Sequence, residues 1–169
     1  MELMEGYVVR TIFTLIYLFF LELSLAQQVD VIKANQLFEM VENCDTNSNI
    51  QVYNFWATWC APCIRELPQF ETINEKYSNI DVTLISVDDV DLLASKVIPF
   101  LKKRGINSRV MLLDEVDFND IIDRIDKNWS GAIPITLIVD CSKNKRYFYE
   151  KAFEENELDE TIKEIINQL

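Results

Sequence analysis

Two cysteines one helical turn apart, Cys60 and Cys63, follow directly on the apolar run Val52-Tyr53-Asn54-Phe55-Trp56 through the connector Ala57-Thr58-Trp59. Residues 51 to 57 are aromatic and β-branched and read as a buried strand, whereas Ile64, Leu67, Phe70 and Ile73 follow at helical spacing. Cys60 is therefore predicted at a helix N-terminus. There the unpaired backbone N–H groups and the positive end of the helix dipole stabilise an anion, and a thiol pKa can fall from about 8.5 to roughly 3.5–7.5. A thiolate so placed attacks disulfides. Cys60 would form the mixed disulfide and Cys63, one turn further in, would resolve it with little backbone movement.

Other uses of a Cys-x-x-Cys pair fit less well. Structural zinc needs a second ligand pair, often with histidine. The chain has no histidine, and its remaining cysteines, Cys44 and Cys141, are isolated from one another; no metal is expected. Haem attachment requires histidine directly after the second cysteine, where Ile64 stands. A passive staple is poorly served by a strand-to-helix turn flanked by Trp59 and Pro62.

The run Trp59-Cys60-Ala61-Pro62-Cys63 resembles the active site of the thioredoxin superfamily, and in detail that of TlpA/ResA-type envelope thiol-disulfide oxidoreductases. Pro68 falls where such proteins kink their first active-site helix. Glu66, three residues after Cys63, matches the CxxCxxE pattern of the ResA-like branch. Asn54, six residues before Cys60, departs from ordinary thioredoxin, which has a buried aspartate there, and agrees with the TlpA/ResA pattern. Gly131-Ala132-Ile133-Pro134-Ile135-Thr136 resembles the cis-proline loop, in which the proline lies against the two sulfurs and the preceding backbone meets an extended peptide.

The resemblance implies an α/β thioredoxin-like fold: a central mixed β-sheet, helices on both faces and a TlpA/ResA-type insertion. It implies Cys60, Cys63 and Glu66 as catalytic residues, and Trp59, Ala61, Pro62, Ile133 and Pro134 as the surface that meets a client. It implies no cofactor. Partners would be client protein disulfides and an upstream thiol donor that restores the dithiol; cytochrome c maturation is one such role in the family. Glu66 reads either as a solvated helix residue or as a carboxylate that opposes thiolate formation and exchanges protons. Asn54 cannot ionise, which leaves acid-base work to Glu66 or water. Trp59 is expected at an exposed rim and Trp56 in the core.

Two other classes remain as alternatives. A thiol peroxidase of the AhpC/TSA type, related in fold, carries threonine where this chain has Ala57. A non-catalytic thioredoxin-like binding module has no need of Cys60, Cys63 and Pro134 together.

The remaining elements follow from pattern. Val31 to Val41 reads as a short helical or mixed segment and Cys44 to Asn49 as a loop. Val82–Val87 is a strand, and Val90–Lys103 a helix that Pro99 kinks or breaks before Gly105 ends it. Val110–Leu113 is a strand and Phe118–Ile125 a helix, together resembling the family insertion. Tyr147–Tyr149 is an edge-side strand and Glu157–Leu169 a closing amphipathic helix. Alternation of β and α argues for a sheet covered on both faces.

At 169 residues, about half hydrophobic, the chain can close one core. Its formal net charge of −12 excludes nucleic acid as an expected partner. Thr11 to Leu21 is apolar, preceded by Arg10 and followed by Ser24-Leu25-Ala26, which reads as a signal peptide over residues 1–26 or an uncleaved signal anchor, with the thioredoxin-like domain over 27–169. Export to the periplasm or cell envelope is expected, with membrane attachment only if the segment is retained. In the implied sheet the strand after Pro134 runs antiparallel to the active-site strand. Cys141 and Cys44 are then both expected at the pole opposite Cys60, where they could form a structural disulfide.

Overall fold

The computed structural model describes residues 28–43 and 50–167. Residues 1–27, 44–49 and 168–169, and with them the predicted signal segment and the predicted loop at Cys44–Asn49, lie outside the described residues.

Six strands form one mixed sheet: β1 (Val29–Ile32), β2 (Ile50–Trp56), β3 (Ile80–Ser86), β4 (Arg109–Leu113), β5 (Ile135–Asp140) and β6 (Lys145–Tyr149), in the order β1-β4-β3-β2-β5-β6. The first four run parallel, and β5 and β6 are antiparallel additions. Side chains alternate across each strand, so β2 sends Val52, Asn54 and Trp56 to one face and Tyr53 and Phe55 to the other. On the first face pack α2 (Ala61–Lys76), α3 (Ile98–Arg104) and α5 (Glu157–Asn167), through residues such as Leu67, Phe70, Leu101 and Ile162. On the second pack α1 (Ala34–Glu42) and α4 (Asn119–Ile125), through Leu37, Phe38, Val41, Ile121 and Ile125. A central mixed sheet covered on both faces is therefore what the chain forms.

Two segments are more finely divided than the sequence pattern shows. The segment read as helical or mixed over 31–41 is two elements, strand β1 and helix α1, and β1 extends the sheet edge by pairing with β4. The segment 90–103 breaks ahead of Pro99, as expected. A 3₁₀ turn at Val90–Leu92 leads into a widened turn at Leu93–Val97, where the Ile98 N–H reaches back to the Leu93 carbonyl, and α3 starts afresh with Pro99 in its first turn. Proline has no N–H to give, so the chain widens ahead of it and restarts where the missing donor costs nothing. Gly105 ends α3 at φ +65°, a left-handed conformation that glycine adopts without steric penalty. The other strands and helices fall within a few residues of the predicted bounds.

Candidate active site

β2 ends at Trp56 and α2 begins at Ala61, so the connector places Cys60 at the helix start and beside the loop that enters β5. Cys60 has extended backbone and serves as the N-cap, with the Cys63 N–H directed at its sulfur at 3.3 Å. Pro62 sits in the first turn, where its missing N–H costs no helical bond. Cys60 and Cys63 are joined in a disulfide with Cα atoms 5.3 Å apart.

β5 pairs with β2 so that Phe55 faces Ile135, which brings the preceding Ile133-Pro134 against the cysteines. The Ile133–Pro134 bond is cis, and the Ile133 carbonyl oxygen lies 3.8 Å from Cys60 Sγ. Trp59 stands out beside them, 66% exposed, while Trp56 is fully buried and tilts against Phe100 at 5.4 Å. Ala61 is exposed and Pro62 partly so. An attacking thiol needs access, yet in the disulfide state Cys60 is only 5% exposed, against 0% for Cys63. Its sulfur lies against the Ile133 carbonyl oxygen.

Glu66 lies on the face of α2 that also carries Cys63, Phe70 and Ile73, and it is 1% exposed, which removes the solvated reading. Its Oε1 accepts from Asn54 Nδ2 at 2.9 Å and its Oε2 from the Phe153 N–H at 2.7 Å. Burial pushes its carboxyl up to about 7, against the opposing pull of those two donors. Asn54 is aimed at it by strand alternation, and its Nδ2 also meets the Ile135 carbonyl and Thr136 Oγ1. The buried Asn54 Oδ1 has no partner among the described residues.

One residue that the motifs did not single out holds the connector in place. Asp88, buried just past β3, accepts from the Thr58 N–H at 2.9 Å and from Thr58 Oγ1 at 2.6 Å, and Ser86 Oγ donates to it at 2.9 Å. Its only signal in sequence is a Ser-x-Asp step after a strand, which is too common to stand out.

At the other pole Asp140 pairs with Ile50, so Cys141 follows β5 close to the start of β2. Cys44 lies outside the described residues. Two clefts of about 420 and 540 Å³ also open at that pole, lined among others by Gln51, Asp81 and Arg109 and by Asp30 and Met111. Neither includes Cys60 or Cys63.

A dithiol–disulfide pair at a helix start, facing a cis-proline at the head of an antiparallel strand, defines a thioredoxin-like site. The chain belongs to the Redoxin family, which matches residues 25–162. Thioredoxin from Sus scrofa is 35% identical over 68 residues, 40% of this chain and 64% of that protein. Human thioredoxin is 44% identical over 45 residues, 27% and 43% respectively. The chain thus spans less than two thirds of the length of these curated relatives. Among solved structures, a thioredoxin-related protein from Neisseria meningitidis serogroup B aligns with TM-score 0.61 at 19% identity, covering 76% of this chain and 91% of its own. A DsbF homologue from Corynebacterium diphtheriae gives 0.54 at 22% identity over 70% and 73%. A secreted Mycobacterium tuberculosis disulfide oxidoreductase homologous to E. coli DsbE gives 0.52 at 20% over 69% and 81%. At these identities they establish a shared fold.

Proposed function

We propose that this chain is an exported thiol-disulfide oxidoreductase that reduces disulfides in client proteins. The observation that carries the reading is the Cys60–Cys63 disulfide at the start of α2, packed against the cis Ile133–Pro134 bond. In the reduced protein the Cys60 thiolate attacks a client sulfur; a bond forms between them, the client S–S bond breaks, and the leaving client thiolate takes up a proton. The Cys63 thiolate then attacks Cys60 Sγ, re-forming the internal disulfide and releasing the second client thiol. Two electrons pass from the dithiol to the client, and an upstream thiol donor must return them.

Glu66 favours this direction. A stabilised thiolate makes a dithiol a better leaving product and hence an oxidant, whereas a buried carboxylate one turn from Cys63 disfavours the thiolate. With its carboxyl pushed up to about 7, Glu66 also exchanges a proton near neutral pH. Trp59, Ala61, Pro62, Ile133 and Pro134 then meet the client, Ile133 through its backbone. Export rests on the leader-like residues 1–26, and a secreted protein stands among the structural neighbours. Among the described residues no helix is long and apolar enough to cross a membrane.

Reduction of insulin or a small model disulfide, driven by a dithiol donor, tests the reading. Wild-type protein is expected to turn over and Cys60→Ser to be inactive; equal rates for the two would refute it. Pairing of Cys44 with Cys141 is a separate part of the proposal. A thiol count on oxidised, unfolded protein should give none if they pair and two if they do not.

A further inference from the structure

We propose that Gln69 is a positioning residue for Glu66: by holding the Phe153 carbonyl it keeps the N–H of that same residue on the buried carboxylate. The proposal rests on the reading of Glu66 as the group that exchanges protons near the thiols, and it names what holds that group in place.

Gln69 stands one turn after Glu66 on α2, so both side chains leave the helix on one side and meet the same residue. Glu66 Oε2 accepts from the Phe153 N–H at 2.7 Å, and Gln69 Nε2 donates to the Phe153 carbonyl oxygen at 2.9 Å. An acceptor and a donor thus bracket both polar groups of Phe153, as a neighbouring strand would. Phe153 lies in the connection 150–156 between β6 and α5, where no helix or strand ladder fixes the backbone. Its ring is anchored separately, edge-on to Phe70 at 6.4 Å and tilted against Tyr149 at 5.5 Å. Apolar packing of this kind is non-directional and tolerates a turn of the backbone. The aim of the N–H is set by hydrogen bonds, and Gln69 supplies the one on the far side of the residue.

Glutamine makes this contact at a cost. Its Oε1 is buried with no partner among the described residues, and turning the amide over would set that oxygen against the Phe153 carbonyl oxygen. A side chain of similar length without the amide would spare the unpaired acceptor, so packing alone does not favour glutamine here.

The surroundings of Glu66 leave its two donors as the adjustable influence. Burial pushes the carboxyl up to about 7, and the Phe153 N–H and Asn54 Nδ2 oppose that rise. β2 and β5 present neutral Asn54 and Thr136 to it, and α2 adds Cys63 one turn back and the exposed Arg65. Behind Phe153, the Tyr149 phenol is raised chiefly by burial and stays neutral near pH 7. Lys151, 5.4 Å from the Phe153 ring centre, is paired with Glu157 of α5, and Glu164 of α5 acts on Tyr149.

The test follows the Glu66 carboxyl and the Phe153 amide by NMR as pH is varied. Oxidised protein is used, so that no thiol titrates beside the carboxyl. In wild type the two signals are expected to share one midpoint; a Phe153 amide that ignores the Glu66 titration would overturn the proposal without any variant. Gln69→Met keeps the side-chain length and removes the donor, and thermal unfolding checks that it folds. Its Glu66 midpoint should rise by about 0.5–1 pH unit, the scale of one weakened hydrogen bond. Its Phe153 N–H should exchange with solvent at least about threefold faster. A purely structural glutamine would change the melting temperature and leave the midpoint alone, so an unmoved or lowered midpoint would overturn the proposal. The pH profile for reduction of hydroxyethyl disulfide, a small model disulfide, should move up by the same amount in reduced Gln69→Met. It should not move when Gln69→Met is added to Glu66→Gln. A shift that persists in that background would overturn the route through Glu66. A carboxyl midpoint that moves while the exchange profile ignores both single substitutions would overturn the proton-exchange role of Glu66 and uphold the positioning. No reduction of hydroxyethyl disulfide by wild type would overturn the reductase reading alone.

Discussion

The two faces of the sheet are packed from similar apolar side chains, but their polar contents differ. Towards α1 and α4 the core holds Leu37, Phe38, Val41, Phe55, Met111 and Leu137, and the buried polar side chains of β2 and β3 on that side, Gln51, Tyr53 and Thr83, are neutral. Towards α2 the core holds Val52, Leu67, Phe70 and Ile162, yet in its midst lie Asn54 and the ionisable Glu66. A carboxyl sealed into such a layer costs stability whenever it ionises. The side of the fold that bears the cysteines therefore gives up stability for a group that holds a proton near them, while the opposite side only stabilises. Changes on the first should move pH profiles, and changes on the second should move stability alone.

The largest effect is expected on the α1 side. Leu37→Ala, at a fully buried position, should lower the unfolding free energy by about 2–5 kcal/mol in denaturant titrations. It should leave the pH profile of disulfide exchange where it was. A shifted profile would mean that the two faces are not separable.

Glu66→Gln should alter how stability depends on pH. The carboxyl is raised to about 7 in the folded protein from an ordinary 4.5, so its contribution is complete below about pH 4.5 and is lost as pH rises through 7. The stability advantage of wild type over the variant should therefore shrink by about 3 kcal/mol across that window. The variant should also show a lower apparent Cys60 pKa and a flatter pH dependence of exchange, because a negative charge near the thiols is gone. A pH-independent difference in stability would return Glu66 to ordinary carboxylate behaviour.

Asn54→Leu should act in the smaller, opposite sense. Losing the 2.9 Å donor removes one of the two bonds that favour the carboxylate, so Glu66 should titrate higher still and the exchange profile should move to higher pH. A shift of about one pH unit or less is expected, the scale of one hydrogen bond. A downward shift would reverse the assigned role of the amide.

These pairs also mark what could be read from the chain itself. The Val52–Cys63 stretch was legible because a long apolar strand and a 3.6-residue helical pattern meet at the cysteines, and the Gly131–Thr136 loop because a second motif fell at a compatible distance. Glu66 was readable as a site residue but not as a buried one. Glutamate is usually solvated, and only its register with Cys63, Phe70 and Ile73 pointed inward. β1 was missed because a four-residue edge strand carries little alternation before α1 begins. The widened turn before α3 leaves no spacing signature beyond Pro99. Phe118 and Ile122 read only as part of a helix and Trp129 carried no signal, since nothing local shows that β5 entry and α4 leave a cleft between them. Asp88 becomes meaningful only when β3 lies beside β2 and brings it under Thr58.

The central claim is that Cys60 is the attacking thiolate and Cys63 the shielded resolving thiol. Reduced protein treated with limiting iodoacetamide at neutral pH, then mapped by mass spectrometry, tests it most directly. Cys60, at the helix N-cap, should be alkylated first, with Cys63, fully buried within α2, lagging well behind. Modification of Cys63 ahead of Cys60 would contradict the account.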